Sequence, residues 1–199
     1  MRMALDRRIL KRSNLEFFKL LGTGSGKTFT TKDADPLRWG LLMVGDDLPD
    51  LKHWDRHCLA KKEFVLAPIA VHGKWSRREP FKNVPTMNSN KAVSDWSGKV
   101  VAITRARIKW RHNLPFWRAV PPVNHALHAS PGLIKAIGIG EAPIGLQGTF
   151  SLWDSPQAIR DFAYRSPAHQ EAIKATERIG WYAEEMFARF ALLEESGDW

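Results

Sequence analysis

The sequence predicts an α+β fold made of two tandem ferredoxin-like units, the first of them N-terminally truncated. Strand-like and helix-like stretches alternate along the 199 residues. FFKLLGTG (Phe17–Gly24) aligns with LIKAIGIG (Leu133–Gly140) at an offset of 116, keeping a lysine, both glycines and the apolar frame. WGLLMVGDDLPDLKHW (Trp39–Trp54) aligns with QGTFSLWDSPQAIRDF (Gln147–Phe162) at an offset of 108, setting Gly40 on Gly148, Asp46 on Asp154, Leu51 on Ile159 and Trp54 on Phe162. Collinear matches at two nearby offsets mark a duplicated β-α-β-β-α-β unit whose first copy has a longer loop.

Shifted back by 116, the strand-like Val100–Ile108 falls before residue 1, while Met1–Ser13 falls on Trp117–Ala129. The first unit therefore lacks its opening strand, and the expectation is a late-start version of a chain longer by roughly thirty residues. The expected boundaries are 1–74 for the first unit, 75–99 for a linker and 100–199 for the second unit.

In order, Met1–Ser13 reads as the end of an amphipathic helix, with Leu5, Ile9 and Leu10 on one face. Leu15–Leu21 is a strand, Gly22–Pro36 a loop and Trp39–Val44 a buried strand. A helix is expected near Pro49–Cys58, its proline in the first turn. Phe64–His72 is strand-like, with Pro68 marking an edge or a bulge. Trp75–Lys99, charged and then rich in Pro and Asn, reads as a linker. Asn113–Ser130 is helical by pattern, and Pro121 with Pro122 should kink or split it. Leu133–Ile139 and Gly148–Trp153 are strands around a glycine-rich turn. Asp154-Ser155-Pro156 caps a helix to about Arg165, Ser166-Pro167 restarts one to about Ile179, and Met186–Leu193 is the last strand.

Composition narrows the function. Hydrophobic residues at 44% suffice for a core, and nine tryptophans suit either an aromatic-rich core or a large apolar ligand. The single Cys58 excludes an internal disulfide framework and any cysteine-rich metal site. Without a long apolar run or a signal-peptide pattern, the expectation is a cytoplasmic protein, with peripheral contact at the inner face of the membrane an option. Residues 1–120 hold 24 Lys+Arg against 11 Asp+Glu, whereas residues 121–199 hold 6 against 10. Such a basic half suits an anionic membrane surface or an acidic electron donor. It does not point to nucleic acid, because the charges are scattered and no nucleic-acid-binding motif occurs.

LGTGSGKT (Leu21–Thr28) approaches a phosphate-binding loop, but Leu21 stands where its first glycine belongs. The following TFTTKDADP is poor material for the helix such a loop must open. The matching turn IGIGEAPIG has no lysine. The glycines are explained by a tight turn between paired strands.

At IGIGEAPIGLQGTFSLW, AYRSPAHQEAI and GWYAEEMFARF, together with FFKLLGTGSGKTF and VVAITRARI, the sequence resembles the spheroidene monooxygenase family from residue 14 to 193. The resemblance implies a fold of the dimeric α/β-barrel type. It further implies a haem b-dependent monooxygenase that inserts keto oxygen from O2 into acyclic carotenoids, with a ferredoxin-like electron donor. The alternatives are a non-catalytic haem or polyene binder of this fold and a cofactor-free oxygenase.

On that reading a pocket between two face-to-face sheets holds the haem, which needs an axial ligand and propionate partners. His169 is the candidate ligand, its other nitrogen oriented by Glu171 or a backbone carbonyl; a helix-start histidine bonded to backbone is the alternative. Arg165 either pairs with a propionate, polarises O2, or forms a surface ion pair with Asp161. Trp181 and Tyr182 are candidate pocket walls, with Tyr182 and Arg165 the catalytic candidates. His53 with His57, and His125 with His128, are expected to be solvated. Arg105 and Arg107 share one strand face, expected to be exposed. Glu184 and Glu185 are read as exposed acids rather than proton donors.

Overall fold

The computed structural model describes residues 7–84, 96–142 and 144–199. The chain runs α1 (Arg8–Arg12), β1 (Phe17–Gly24), β2 (Ala34–Val44), α2 (Lys52–Asp55), β3 (Lys62–Gly73), β4 (Val100–Ile108), α3 (Asn113–His128), β5 (Leu133–Gly140), β6 (Leu146–Trp153), α4 (Pro156–Arg165), α5 (Pro167–Ile179) and β7 (Tyr182–Gly197). Seven strands pair antiparallel in one sheet, in the order β2-β1-β5-β6-β4-β7-β3.

This order is the duplication made visible. In the second unit the opening strand β4 lies between β6 and β7, with β5 beyond β6, as a ferredoxin-like unit requires. In the first unit β1, β2 and β3 are the counterparts of β5, β6 and β7, and no described strand takes the role of β4. Its place lies between β2 and β3, which are the two edges of the sheet. Helix α1 ends at Arg12, where the offset of 116 puts the end of α3 at His128. Strand ends agree too: Phe17 opposes Val44 and Leu133 opposes Trp153, within one residue of the offset of 108. Pro68 sits on edge strand β3 beside a register shift, the position its missing N–H demands.

Side chains alternate across each strand, so the sheet has two faces. One face carries Val101 and Ile103 of β4, Ile137 and Ile139 of β5, Leu152 of β6 and Met186 and Phe190 of β7, packed with Phe17 and Leu21 of β1. The sheet curls around this core: Phe64 of β3 meets Phe150 of β6 with ring centroids 5.1 Å apart. The other face carries Val100, Ala102, Ala136 and Trp153, covered by Leu127 of α3 and Ile159 of α4.

Two expectations change here. Residues 75–84 are not linker-like: Trp75 is fully buried and Phe81 nearly so, both in the core inside the curl. The remainder of the expected linker, residues 85–95, lies outside the described residues, as do Met1–Asp6 and Pro143. Helix α3 runs unbroken through Pro121 and Pro122. Both prolines are exposed, so the carbonyls of Trp117 and Arg118, deprived of their intrahelical donors, lie on a side that water reaches.

Candidate functional site

A cavity of about 1080 Å³ lies against the helix-covered face of the second unit, at the upper end of the ~300–1,000 Å³ usual for ligand sites. The expected pocket between two facing sheets is not what forms, because the inside of the curl is filled by the core. The cavity exists because its floor is built from small residues: Ala102, Thr104 and Ala106 on β4, Gly138 on β5, and Thr149 and Ser151 on β6. The hydroxyls of Thr104 and Thr149 bond each other at 2.8 Å, so the floor's polar atoms are satisfied without side chains rising into the space. Helix α3 supplies an apolar roof through Phe116, Trp117, Val120 and Val123, while α5 supplies His169, Ala172, Ile173 and Thr176.

His169 is held there by local sequence. Ser166 caps α5, its hydroxyl accepting the His169 N–H at 3.4 Å, and Pro167 occupies the first turn. The ring Nδ1 lies 3.0 Å from the Ala163 carbonyl. A carbonyl can only accept, so Nδ1 carries the proton and Nε2 keeps its lone pair. Burial pushes the His169 pKa below the ordinary imidazole value, outweighing the Ala163 bond that raises it. The ring also stacks on Phe162 at 4.8 Å between centroids. A neutral imidazole with one nitrogen tied to backbone is the state a metal-ligating histidine needs. The orienting group is the Ala163 carbonyl; Glu171 instead pairs with Lys174.

Trp181 and Tyr182 both line the cavity. Phe116 joins them, with ring centroids 5.6 Å and 6.0 Å away. The Trp181 indole donates to Thr176 Oγ1 at 2.9 Å. Burial raises the Tyr182 pKa above the ordinary phenol value, helped by the nearby Glu185 charge and opposed by hydrogen bonding to Thr176 and Trp181. Tyr182 is therefore a phenol at neutral pH.

Sequence reasoning missed Arg189. It stands on the cavity face of β7, in the row formed with Ala102 and Ala70, and it lines the cavity half-buried. Its side chain forms no ion pair or hydrogen bond with the described residues, whereas Arg105 is paired with Glu141 and Glu184. The one signal available was its alternation with Ala188 and Phe190 along the last strand. Thr23 Oγ1 and Asn124 Oδ1, on cavity-lining residues, are buried without a partner. Among the described residues the cavity thus offers the neutral imidazole of His169, the unpaired guanidinium of Arg189 and unsatisfied polar atoms within apolar walls. That donor set fits a haem: one axial nitrogen, one propionate partner and flat apolar space.

Other candidates fall elsewhere. Arg165 is not brought to the cavity; its side chain is 77% exposed and pairs with Asp161 at 3.1 Å, one helical turn away. His53 on α2 and His57 in the turn after it are exposed, with rings 6.3 Å apart. Both His128 nitrogens meet backbone carbonyls, those of Asn124 and Gly26, at 2.9 Å and 2.7 Å. Among the described residues there is no group of three or more His, Cys, Asp or Glu suited to a bare metal ion.

Arg105 corrects an expectation outright, being 2% exposed on the core side of β4. Its Nε donates to Glu141 Oε1 at 2.9 Å and its Nη1 to Glu184. Glu141 also accepts from the Trp75 indole at 2.8 Å and pairs with Lys19 at 2.5 Å. Glu184 accepts the backbone N–H groups of Ser76 and Arg77 at 3.0 Å and 2.6 Å. Neither glutamate is the exposed acid or the proton donor considered for Glu184. Together they fasten β1, β4, the turn after β5, β7 and the Trp75 segment at one end of the curl.

The near phosphate loop is likewise explained. The N–H groups of Gly26, Lys27 and Thr28 all converge on Asp33 Oδ2, at 3.1, 3.0 and 3.3 Å, and the Ser25 hydroxyl donates to the other oxygen. The anion nest is filled by the chain's own carboxylate.

The fold defines the class: an α+β protein of ferredoxin-like units in one curled antiparallel sheet, with a large cavity between that sheet and its helices. No family model matches the chain. It is 33% identical over 208 residues to the spheroidene monooxygenase of Rhodobacter capsulatus, an alignment spanning 99% of this chain and 84% of that protein. It is 41% identical over 193 residues to that of Rubrivivax gelatinosus, spanning 92% and 71%. With the spheroidene monooxygenase of Cereibacter sphaeroides the identity is 32% over 195 residues, spanning 92% and 58%. The chain belongs to the spheroidene monooxygenase family, and its class of activity is monooxygenation. A heme-degrading enzyme of Listeria monocytogenes shares a loose likeness, with a TM-score of 0.36 at 12% identity over 94% of each chain. An anthrone oxidase-like protein gives 0.40 at 10% identity, over 98% of this chain and 85% of that one.

Proposed function

We propose that this chain is a haem-dependent oxygenase that inserts keto oxygen from O2 into an apolar, acyclic polyene of the carotenoid class. The observation that carries the reading is His169, a neutral imidazole lining the cavity with Nδ1 committed to Ala163. His169 would hold the haem iron through Nε2 and Arg189 would hold a propionate. Bound there, haem supplies the activation of O2 that side chains cannot, with electrons from an external donor of the ferredoxin class.

The protein's own contribution is placement and dryness. The small-residue floor and the α3 roof accept a flat ring and an extended hydrocarbon together. Phe116, Trp117 and Trp181 exclude water, strengthening every polar contact inside. Tyr182, kept as a phenol, can donate a hydrogen bond or proton to oxygen in the cavity. Two successive hydroxylations of one allylic carbon, each consuming one O2, two electrons and two protons and releasing water, give a geminal diol. Loss of a further water leaves the ketone.

The test is turnover with isotopically labelled dioxygen, using haemin-reconstituted protein, a reduced ferredoxin and an acyclic carotenoid. A labelled hydroxylated or keto product is expected. Binding of haemin and pigment with no oxygenated product would reduce the protein to a carrier.

A further inference from the structure

The outer side of α3 and of the turn before it, away from the cavity, presents an apolar and basic surface that none of the described residues covers. Trp110 is 85% exposed and Leu114 is 62% exposed, one helical turn apart at the start of the helix. Ile144 is 54% exposed beside them, where the Ile108 N–H bonds the Gly145 carbonyl at 2.9 Å. Arg111 and Arg118 stand exposed on the same side. Between Trp110 and Gly140 there are three Lys+Arg and no Asp or Glu, so nothing in this stretch of chain neutralises Arg111 and Arg118. An exposed indole and leucine framed by arginines is the composition of a surface that lies in a membrane interface.

We infer that this face of α3 docks on an anionic lipid bilayer. Charge complementarity selects an anionic surface, and Trp110 and Leu114 exposed beside arginines match the composition of a helix that lies in a lipid interface. The opposite side of the same helix carries Phe116 and Val120 into the cavity. Docking therefore sets the cavity about one helix diameter, ~10 Å, from the lipid. That this proximity delivers an apolar substrate rests on the reading above; the docking itself does not.

The test is co-sedimentation of the full chain with phosphatidylcholine vesicles and with vesicles of equal parts phosphatidylcholine and phosphatidylglycerol. The wild type should sediment with the mixed vesicles and not with the neutral ones. The pairs R111E/R118E and W110S/L114S should each lower vesicle partitioning about tenfold or more. The matched charge reversal K52E/R56E, on exposed residues at and just after α2, should leave it within about twofold. Far-UV circular dichroism establishes that each variant is folded before it is scored. No sedimentation of folded wild type, or equal loss with K52E/R56E, would overturn the proposal. So would loss in the arginine pair alone, which would show that Trp110 and Leu114 do not enter the lipid interface. Failure of haemin to bind would leave these outcomes unchanged and would count against the haem reading alone.

Discussion

Thr23 and Ile139 correspond to each other across the internal duplication, and they stand directly opposite each other in the ladder joining β1 to β5. Two copies of one strand can pair antiparallel in this way only about a two-fold axis, and this pair lies on it. The same relation brings β3 against β7, so each unit shares two of its strands with the other and the sheet is continuous.

The symmetry is broken at one strand, and glycine substitutions should report it. A Cβ on Gly148 would lie 2.2 Å from the Thr104 carbonyl, because β4 runs beside β6. A Cβ on Gly40, its sequence counterpart, would meet side-chain atoms alone, the Thr23 Cγ2 at 3.4 Å and the Leu21 Cβ at 3.6 Å. Gly148→Ala should cost about 1–3 kcal/mol, a fall in Tm of several degrees, and Gly40→Ala less than about 1 kcal/mol. Thermal unfolding followed by circular dichroism measures both.

The Arg105 network makes a stability prediction with a definite pH dependence. Arg105→Met leaves Glu141 and Glu184 without their shared counter-ion and should cost about 3–5 kcal/mol. Burial raises the Glu141 pKa, but the Lys19 and Trp75 hydrogen bonds and the Arg105 and Lys19 charges together hold it below the usual carboxylate value. A depressed folded pKa gives stability that is present above the unfolded value of about 4.3 and is lost as pH falls through the folded value. Tm should therefore drop below about pH 4 in the wild type and less steeply in Glu141→Gln.

Much of the architecture is legible in the sequence because strand periodicity and turn glycines are local signals. VVAITRARI has the bounds of β4, and the Ser-Pro pairs open α4 and α5. The location of the cavity is not legible. Alternation reveals that Ala102, Thr104 and Ala106 share a face, but not whether helices or a second sheet cover it. Arg105 reads as exposed because its partners lie 36 and 79 residues away in sequence. Arg189 is missed because alternation along β7 sets it on the face opposite Ala188 and Phe190 but does not reveal that its face lines a cavity. His169 is picked out by the Ser-Pro that fixes where α5 begins, whereas Arg165, four residues earlier, projects from α4 to solvent.

Nucleotides should not bind at Leu21–Thr28. Burial raises the Asp33 pKa, but its bonds from Ser25 and from the backbone of Thr28, Phe29 and Lys27 hold it below the usual carboxylate value. The nest is therefore filled by an anion at neutral pH. ATP should give no thermal shift, with or without Mg²⁺. A shift that Asp33→Ala strengthens would show the nest open to phosphate.

Arg189→Gln should weaken haemin binding about tenfold, one charge-assisted bond or ~1.4 kcal/mol, while leaving the absorption spectrum of the bound form unchanged. The dimethyl ester of haemin, which lacks propionate charge, should bind wild type and variant alike. Equal loss for haemin and its ester would remove Arg189 as the anchor.

Haemin affinity should stay level as pH falls to about 6.5 and decline only below it, because proton competition for Nε2 follows a depressed imidazole pKa. The central measurement is the absorption spectrum of His169→Ala reconstituted with haemin. The wild type should show a Soret band typical of histidine ligation. The variant should lose it, with affinity down about 10–100-fold, and added imidazole should restore it. A folded His169→Ala protein with an unchanged Soret band and unchanged affinity would contradict the assignment of His169 and the site built around it.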